Sequence, residues 1–294
     1  MKIGFIGLGV MGRPMAGHLI AAGHEVSLHR VKAASQYLLE AGGLALDSAK
    51  AVAEAADVVI LMLPDTPDVE NVLFGEEGVA EGLSTGKLVI DMSSISPVAT
   101  KGFASRIAER GAGYVDAPVS GGEVGAKAAS LTIMVGASEA DFARALPLFQ
   151  LMGKNITRIG NVGDGQTAKV VNQVIVGLTI EAVAEGLTLA KAAGADPVKV
   201  REALLGGFAS SRILEIHGER MIKETFDPGF RIRLHRKDIS LALEAAKMLE
   251  LYLPNAANLQ QLMNKSLAQG LGDHDHSALV LALGPDGTSH SKDR

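Results

Sequence analysis

Residues Lys2–Met15, KIGFIGLGVMGRPM, set a short apolar run directly ahead of Gly7, Gly9 and Gly12, and MAGHLIAAG after them has the composition of a helix. The spacing is G-x-G-x-x-G at a strand-to-helix turn. There Gly7 permits the tight turn, Gly9 lets the backbone approach a pyrophosphate, and Gly12 lets the helix pack on the strand with phosphates at its N-terminus. Leu8, Val10 and Met11 would line the same loop. The stretch predicts a dinucleotide-binding α/β domain.

Outward from the loop, EVSLHR, DVVILML, KLVIDM, GYVDAP, SLTIMVG and NITRIG read as strands separated by helical stretches. That alternation predicts a Rossmann doubly wound parallel sheet, apolar because helices cover both faces. After Gly165 the strand signals stop, and helices are predicted over roughly 166–193, 196–205, 211–223, 238–250, 256–269 and 276–283. The change predicts a dinucleotide-binding domain over 1–163 and an all-α substrate and oligomerisation domain over 164–294, opened by an interdomain helix about 40 Å long. Lys169 would lie on its first turn. There is no internal repeat, and the polar tail Gly284–Arg294 is of low complexity.

With 28 Lys and Arg against 33 Asp and Glu among 294 residues, the formal charge is -5, so no global positive field exists to hold nucleic acid or an anionic membrane. No run reaches the ~18 uninterrupted apolar residues of a membrane span, because Asn172, Gln173, Glu181, Glu185 and Lys191 break 170–193. The glycines of the N-terminus argue against a signal peptide and for a cytoplasmic protein. The absence of cysteine removes disulfides, thiolate metal sites and aldehyde oxidation through a thiohemiacetal.

The second strand ends at Leu28-His29-Arg30, where an acid would ordinarily hold the ribose of NAD. Arg30, with Lys32 behind it, can instead meet the 2′-phosphate of NADP or be a solvated charge, which leaves NAD and NADP both open. DMSSISP, Asp91–Pro97, ends a fourth strand with hydroxyls; Ser93 and Ser94 can touch the nicotinamide side of a cofactor or cap the next helix. In GDGQTAKVVNQ, Gly163–Gln173, Lys169 is either a surface residue near a helix start or a positioned ammonium.

FIGLGVMGRPMAGHL, DAPVSGGEVGA, GDGQTAKVVNQ and LHRKDISLAL occur in the order and spacing of the β-hydroxyacid dehydrogenase family, and the resemblance runs to Leu283. GFASSRILEIHGERMIK, LPDTPDVENVLFG and DHSAL resemble the branch acting on a three-carbon semialdehyde. The resemblance implies an NAD(P)-dependent oxidoreductase for a small carboxylate-bearing aldehyde or hydroxyacid, working as a homo-oligomer (dimer or tetramer). By position it implies Lys169 as the catalytic lysine with Asn172 and Gln173 as its polar pair. It implies Ser120, Gly121 and Gly122 as the substrate turn, and Lys237 beside Asp238, Ser94 and Leu63-Pro64 at the cofactor. Two features depart from the family pattern: the His29-Arg30 ending, and Gly284-Pro285, which halts the last helix.

The implied chemistry suits these residue types. Positions 169, 172, 173 and 176 fall on one helix face. Hydride reduction of an aldehyde creates an alkoxide that needs a proton donor, which an ammonium at Lys169 can supply, with Asn172 orienting it or the substrate oxygen. Ser120-Gly121-Gly122 offers a hydroxyl and unobstructed N–H groups to a carboxylate. No metal is expected: in Asp273–His276, DHDH, the two histidines are two apart and cannot share a helix face, the other histidines are scattered, and the motif reads as a cap and loop. No nucleophile elbow occurs. The competing reading is a catalytically silent dinucleotide-binding module, which has no use for an ammonium at Lys169.

Overall fold

Val58–Leu61 and Leu88–Asp91 are buried at every position, and their side chains divide by alternation. Val58 and Ile60 join Ile3, Phe5, Leu88 and Ile90 in one apolar cluster, while Val59 and Leu61 join Ile6 and Val89 in another. Strands buried on both faces require helices on both sides. The computed structural model, which describes residues 1–283, has that layered arrangement in the first of two compact units, Met1–Lys169 and Val170 onward.

The first unit runs β1 (Lys2–Ile6), α1 (Gly12–Ala21), β2 (Glu25–His29), α2 (Tyr37–Glu40), β3 (Leu44–Leu46), α3 (Ala49–Ala55) and β4 (Val58–Leu61). It continues through α4 (Thr66–Phe74), α5 (Val79–Gly82), β5 (Leu88–Asp91), α6 (Pro97–Ala108), β6 (Gly113–Asp116) and β7 (Val119–Ser120). Then come α7 (Gly122–Lys127), β8 (Leu131–Gly136), α8 (Glu139–Gln150) and β9 (Gly153–Gly160). The strand order is β3-β2-β1-β4-β5-β6-β8-β7, with β9 paired to β8.

The Rossmann class holds, with one departure from an all-parallel sheet. Strands β1 to β6 are parallel, but β8 pairs antiparallel with both β6 and β7. The connection explains it: α7 has six residues, about 9 Å of helix, too little to cross a sheet face and return the chain in parallel. β3 and β7, three and two residues long, carry too little pattern to be read in sequence, so DMSSISP follows the fifth strand rather than the fourth.

α9 (Asp164–Ala192) begins in the first unit and continues into the second, where it is followed by α10 (Pro197–Leu205), α11 (Arg212–Lys223), α12 (Ile232–Met248) and α13 (Pro254–Ala268). A 3-10 helix, His276–Leu283, closes the described residues; the tail from Gly284 and the halt at Gly284-Pro285 lie outside them. Ile180, Ala184 and Leu187 of α9 pack with Met221, Ile232, Ile239, Leu259, Met263 and Leu279 in the core of the second unit. α9 is long and apolar enough to cross a membrane on length and composition, while Ile180, Ala184 and Leu187 on it line the core of the second unit.

α12 starts at Ile232, six residues before its predicted start, because His235 and Asp238 occupy core positions on the same face as Ile232, Ile239 and Ala242. Polar residues at the inward positions of LHRKD conceal the helical period from a hydropathy reading.

The start of α9 is fastened to the sheet. Asp116, the last residue of β6, is fully buried and accepts N–H bonds from Gly163 at 2.7 Å and Gln166 at 2.8 Å, so a strand end caps the helix. Burial pushes the carboxyl up, the two N–H groups pull it back, nearby Asp91 raises it again, and the balance stands at about 7. An aspartate in the unfolded chain titrates near ~3.9. The folded state therefore holds this proton more tightly, and the stability it contributes is complete below about pH 4 and lost as the pH rises through 7. In Asp116→Asn that titration is gone, so urea midpoints of the wild type are expected to fall relative to those of the variant between roughly pH 4 and pH 7. Parallel midpoints would assign the titration elsewhere.

Candidate active site

The residues expected at the cofactor follow the carboxyl ends of parallel strands: Gly7 follows β1, Arg30 follows β2, Leu63 and Pro64 follow β4, and Ser94 follows β5. The strand order reverses between β1 and β4, where open α/β sheets leave a crevice for ligands.

The three glycines have three different surroundings. Gly7 has φ +106°, and a Cβ there would stand 2.2 Å from the Met62 carbonyl oxygen. A Cβ at Gly12 would stand 1.9 Å from the Gly7 carbonyl oxygen, so α1 sits against the loop. A Cβ at Gly9 would meet nothing within 4 Å. The middle glycine thus keeps backbone bare toward open space, where a side chain would block a ligand. No side chain caps the start of α1, and its first turn holds no acid, which leaves N–H groups and the positive end of the helix dipole for an anion. These residues fit a dinucleotide.

Around Ser94 the backbone is held on both sides. The Gln166 amide donates to the Ser93 carbonyl at 2.8 Å and accepts from the Ile95 N–H at 3.1 Å, so the first turn of α9 grips the loop after β5. The Ser93 hydroxyl accepts the Leu63 N–H at 2.9 Å, which fastens Leu63-Pro64 to the same loop. Asp91 accepts from the Ser93 N–H and the Tyr114 hydroxyl; burial, then Asp91, drives that phenol's pKa well up. Sequence reasoning passed over Gln166, Asp91 and Asp116. Their signals were a glutamine inside GDGQTAK and an acid closing each of the apolar strands LVID and GYVD.

Ser120 ends β7 and is half-buried. Gly121 and Gly122 have φ +133° and +59°, two successive left-handed positions that L side chains avoid. Arg30, too, is left-handed at φ 56°; both it and Lys32 are exposed. Lys169 is buried. It lies on the second turn of α9 rather than the first, because the helix begins at Asp164.

In the second unit, Asn172, Gln173, Asp238 and Lys237 form one linked group. Asn172 Nδ2 donates to Gln173 Oε1 at 2.7 Å, Gln173 Nε2 donates to Asp238 Oδ2 at 2.5 Å, and Lys237 pairs with Asp238 Oδ1 at 3.0 Å. His235 Nε2 lies 3.0 Å from the Gln173 carbonyl. Gly177 permits this approach, since a Cβ there would stand 3.2 Å from His235 Nε2. DHDH does not stand alone: Asp275 and His276 gather with His217 and His235, histidines 18 or more positions apart in sequence. GFASSRILEIHGERMIK, LHRKDISLAL and DHSAL each supply one of the three, which was the signal available.

A switch-point glycine loop on a Rossmann sheet, with an all-helical unit after it, defines a nicotinamide-dinucleotide-dependent oxidoreductase. Residues 2–160 match the NAD binding domain of 6-phosphogluconate dehydrogenase, and 163–283 match the NAD-binding of NADP-dependent 3-hydroxyisobutyrate dehydrogenase. The chain belongs to the β-hydroxyacid dehydrogenase family related to 3-hydroxyisobutyrate dehydrogenase. It is 58% identical over 283 residues to 2-hydroxy-3-oxopropionate reductase of Escherichia coli (strain K12), covering 96% of this chain and 97% of that one. It is 34% identical to 3-hydroxyisobutyrate dehydrogenase of Pseudomonas aeruginosa, over 93% of this chain and 94% of the relative. Among solved structures, 3-hydroxyisobutyrate dehydrogenase of Mycobacterium tuberculosis with L-serine superposes with a TM-score of 0.87 at 31% identity, covering 96% of this chain and 99% of that one.

The place of Arg30 yields a test of cofactor choice. Non-glycine residues held left-handed cluster where a ligand is clamped, and a guanidinium there can pair with a 2′-phosphate. Arg30→Ala is expected to raise KM for NADPH about 10-fold or more, the worth of a lost charge-assisted contact, and to leave KM for NADH alone. Equal changes for both cofactors would make Arg30 a bystander.

Proposed function

We propose that the chain reduces 2-hydroxy-3-oxopropionate (tartronate semialdehyde) to D-glycerate with NADH or NADPH, and that Lys169 is the general acid. The observation that carries this reading is the 58% identity over nearly the full length of both chains to 2-hydroxy-3-oxopropionate reductase. The domains are taken as 1–163 for the dinucleotide and 164–294 for the substrate.

Gly7, Leu8, Gly9, Val10, Met11 and Gly12 would hold the pyrophosphate, with Leu63, Pro64, Ser94 and Lys237 toward the nicotinamide and Arg30 at the ribose. When bound, the reduced nicotinamide supplies a hydride. The residues of the chain do the rest. Ser120, Gly121 and Gly122 receive the carboxylate, and Gln173 adds a polar contact to the substrate. As the carbonyl oxygen takes up charge, the Lys169 ammonium delivers its proton to it; in the direction of oxidation the neutral amine takes the proton back. Asn172, one turn further along α9 and held by Gln173, fixes the polar side of that face.

This reading places the enzyme in the cytoplasm, with no nucleic acid or membrane partner, and makes it a homo-oligomer, dimer or tetramer. Val171, Ile175 and Leu189 are more than half exposed along α9, an apolar stripe that a second copy would cover.

Two measurements test the proposal. Lys169→Ala is expected to leave cofactor binding near wild type and to lower kcat ~10²–10⁴-fold, the usual worth of general acid catalysis; turnover within a few-fold of wild type overturns the assignment. A site built to hydrogen-bond a hydroxyl rejects an analogue that lacks it. Tartronate semialdehyde is therefore expected to exceed methylmalonate semialdehyde, which has a methyl in the hydroxyl's place, by at least ~10-fold in kcat/KM. The reverse order would make the chain a 3-hydroxyisobutyrate dehydrogenase. Bound cofactor with reduction of neither would leave a silent binding module.

A further inference from the structure

Gln166 is fully buried in the first unit and pinned at three points. Its backbone N–H donates to Asp116 Oδ2 at 2.8 Å, its side-chain Nε2 donates to the Ser93 carbonyl at 2.8 Å, and its Oε1 accepts the Ile95 N–H at 3.1 Å. The last two bonds take hold of the peptide groups on either side of Ser94, which is half-buried between buried Ser93 and Ile95. A side-chain amide donates and accepts at once, as this double contact requires; a carboxylate of the same length only accepts, and a thioether of that length donates nothing.

The loop after β5 has other holds, and they come from other elements. Asp91 at the end of β5 accepts the Ser93 N–H, the Ser93 hydroxyl accepts the Leu63 N–H after β4, and Thr66 at the start of α4 accepts the Ser96 N–H at 3.1 Å. Gln166 brings in the hold of α9. The helix start is itself close against the sheet: a Cβ at Gly165 would stand 2.5 Å from the Met134 carbonyl oxygen and 2.8 Å from Asp116 Oδ2.

Lys169 is three residues further along the same helix, on the same face as Gln166 and about 4.5 Å along the axis. It is buried and belongs with Gln166 to the first unit. One turn of helix therefore carries both the lysine and the amide that grips the backbone around Ser94, and a shift of either relative to the other has only that turn to take it up.

We propose that Gln166 is a positioning residue, which sets the register between the Ser94 loop, with the nicotinamide held against it, and the Lys169 ammonium. The role rests on the reading of Ser94 and Lys169 given above. Hydride and proton must reach adjacent atoms of one carbonyl group, and a misplacement of about 1 Å can cost ~10²-fold in rate. Gln166 acts on the chemical step through this register and leaves the cofactor's own contacts in place.

The test is a pair of variants and a double-mutant cycle on the whole chain, with tartronate semialdehyde as substrate. Gln166→Met keeps the length and loses both side-chain bonds; kcat is expected to fall about 10- to 100-fold, while the Kd values of NADH and NADPH stay within about 3-fold. Thr66→Val removes a hold on the same loop from α4, and its kcat is expected to stay within about 3-fold of wild type. In a Lys169→Ala background Gln166→Met is expected to cost less than about 3-fold more, because without the lysine there is no register to lose. If Gln166→Met does not accumulate as folded protein, Gln166→Asn, whose amide stops one methylene short, carries the same expectations. Near wild-type kcat in the Gln166 variant, an equal loss in Thr66→Val, or losses that multiply in full in the double mutant overturn the positioning role and leave the reductase reading standing. No turnover of any semialdehyde by wild type, or Lys169→Ala turnover within a few-fold of it, overturns the reading of the site and the positioning role with it.

Discussion

The hold of one buried carboxylate on the beginning of one helix governs the geometry of the candidate site. Asp116 closes β6 and accepts the N–H groups of Gly163 and Gln166; Gln166 in turn clamps the loop that carries Ser94. The start of α9, up to Lys169, is thereby fixed to the sheet of the first unit, and Lys169 takes its place from that start by helical geometry. The proposed proton transfer tolerates little displacement of the lysine, and a helix start held by the Asp116 and Gln166 side chains is a rigid place to mount one.

The parts of this arrangement that were legible in the sequence are those whose function depends on backbone shape. Gly7, Gly9 and Gly12 could be given three separate jobs from their spacing, and the surroundings of each in the structure differ as those jobs require. The paired glycines at 121 and 122 belong to the same kind, as their left-handed angles show. Residues that act through distant side-chain contacts were illegible. Gln166 lies 71 and 73 positions from its partners, and nothing in local composition announces such a pairing. Strand direction escaped as well, because GYVDAP and SLTIMVG read alike whichever way the chain runs through them.

In the second unit the difficulty had one cause. His235 and Asp238 occupy inward positions of α12, where the helical pattern calls for apolar side chains. A reading based on hydropathy therefore sees a break and starts the helix late. Buried polar groups at such positions are costly unless every donor and acceptor is engaged, and here they are engaged with α9 and with Asp275–His276. The break in the apolar pattern has a structural cause: the polar residues that disrupt the helical period are those gathered around Gln173.

Two buried aspartates show that burial does not by itself decide how an acid titrates. Asp116 has two N–H donors and another carboxylate nearby, and its pKa rises to about 7. Asp275 has four hydrogen-bond donors from three residues, a guanidinium and an imidazole, and its pKa falls well below the usual range. For Asp275 the folded chain favours the charged form, so the stability it contributes is present above the ordinary carboxylate range and survives until the pH falls far below it. For Asp116 the contribution has the opposite sign and is lost through neutrality. Each carboxylate braces a backbone segment, the start of α9 in one case and the Gly229–Phe230 turn before α12 in the other. Because the weaker donor set is at the helix that carries Lys169, charge appears under that helix only as the pH rises through about 7, while the brace before α12 is already ionised.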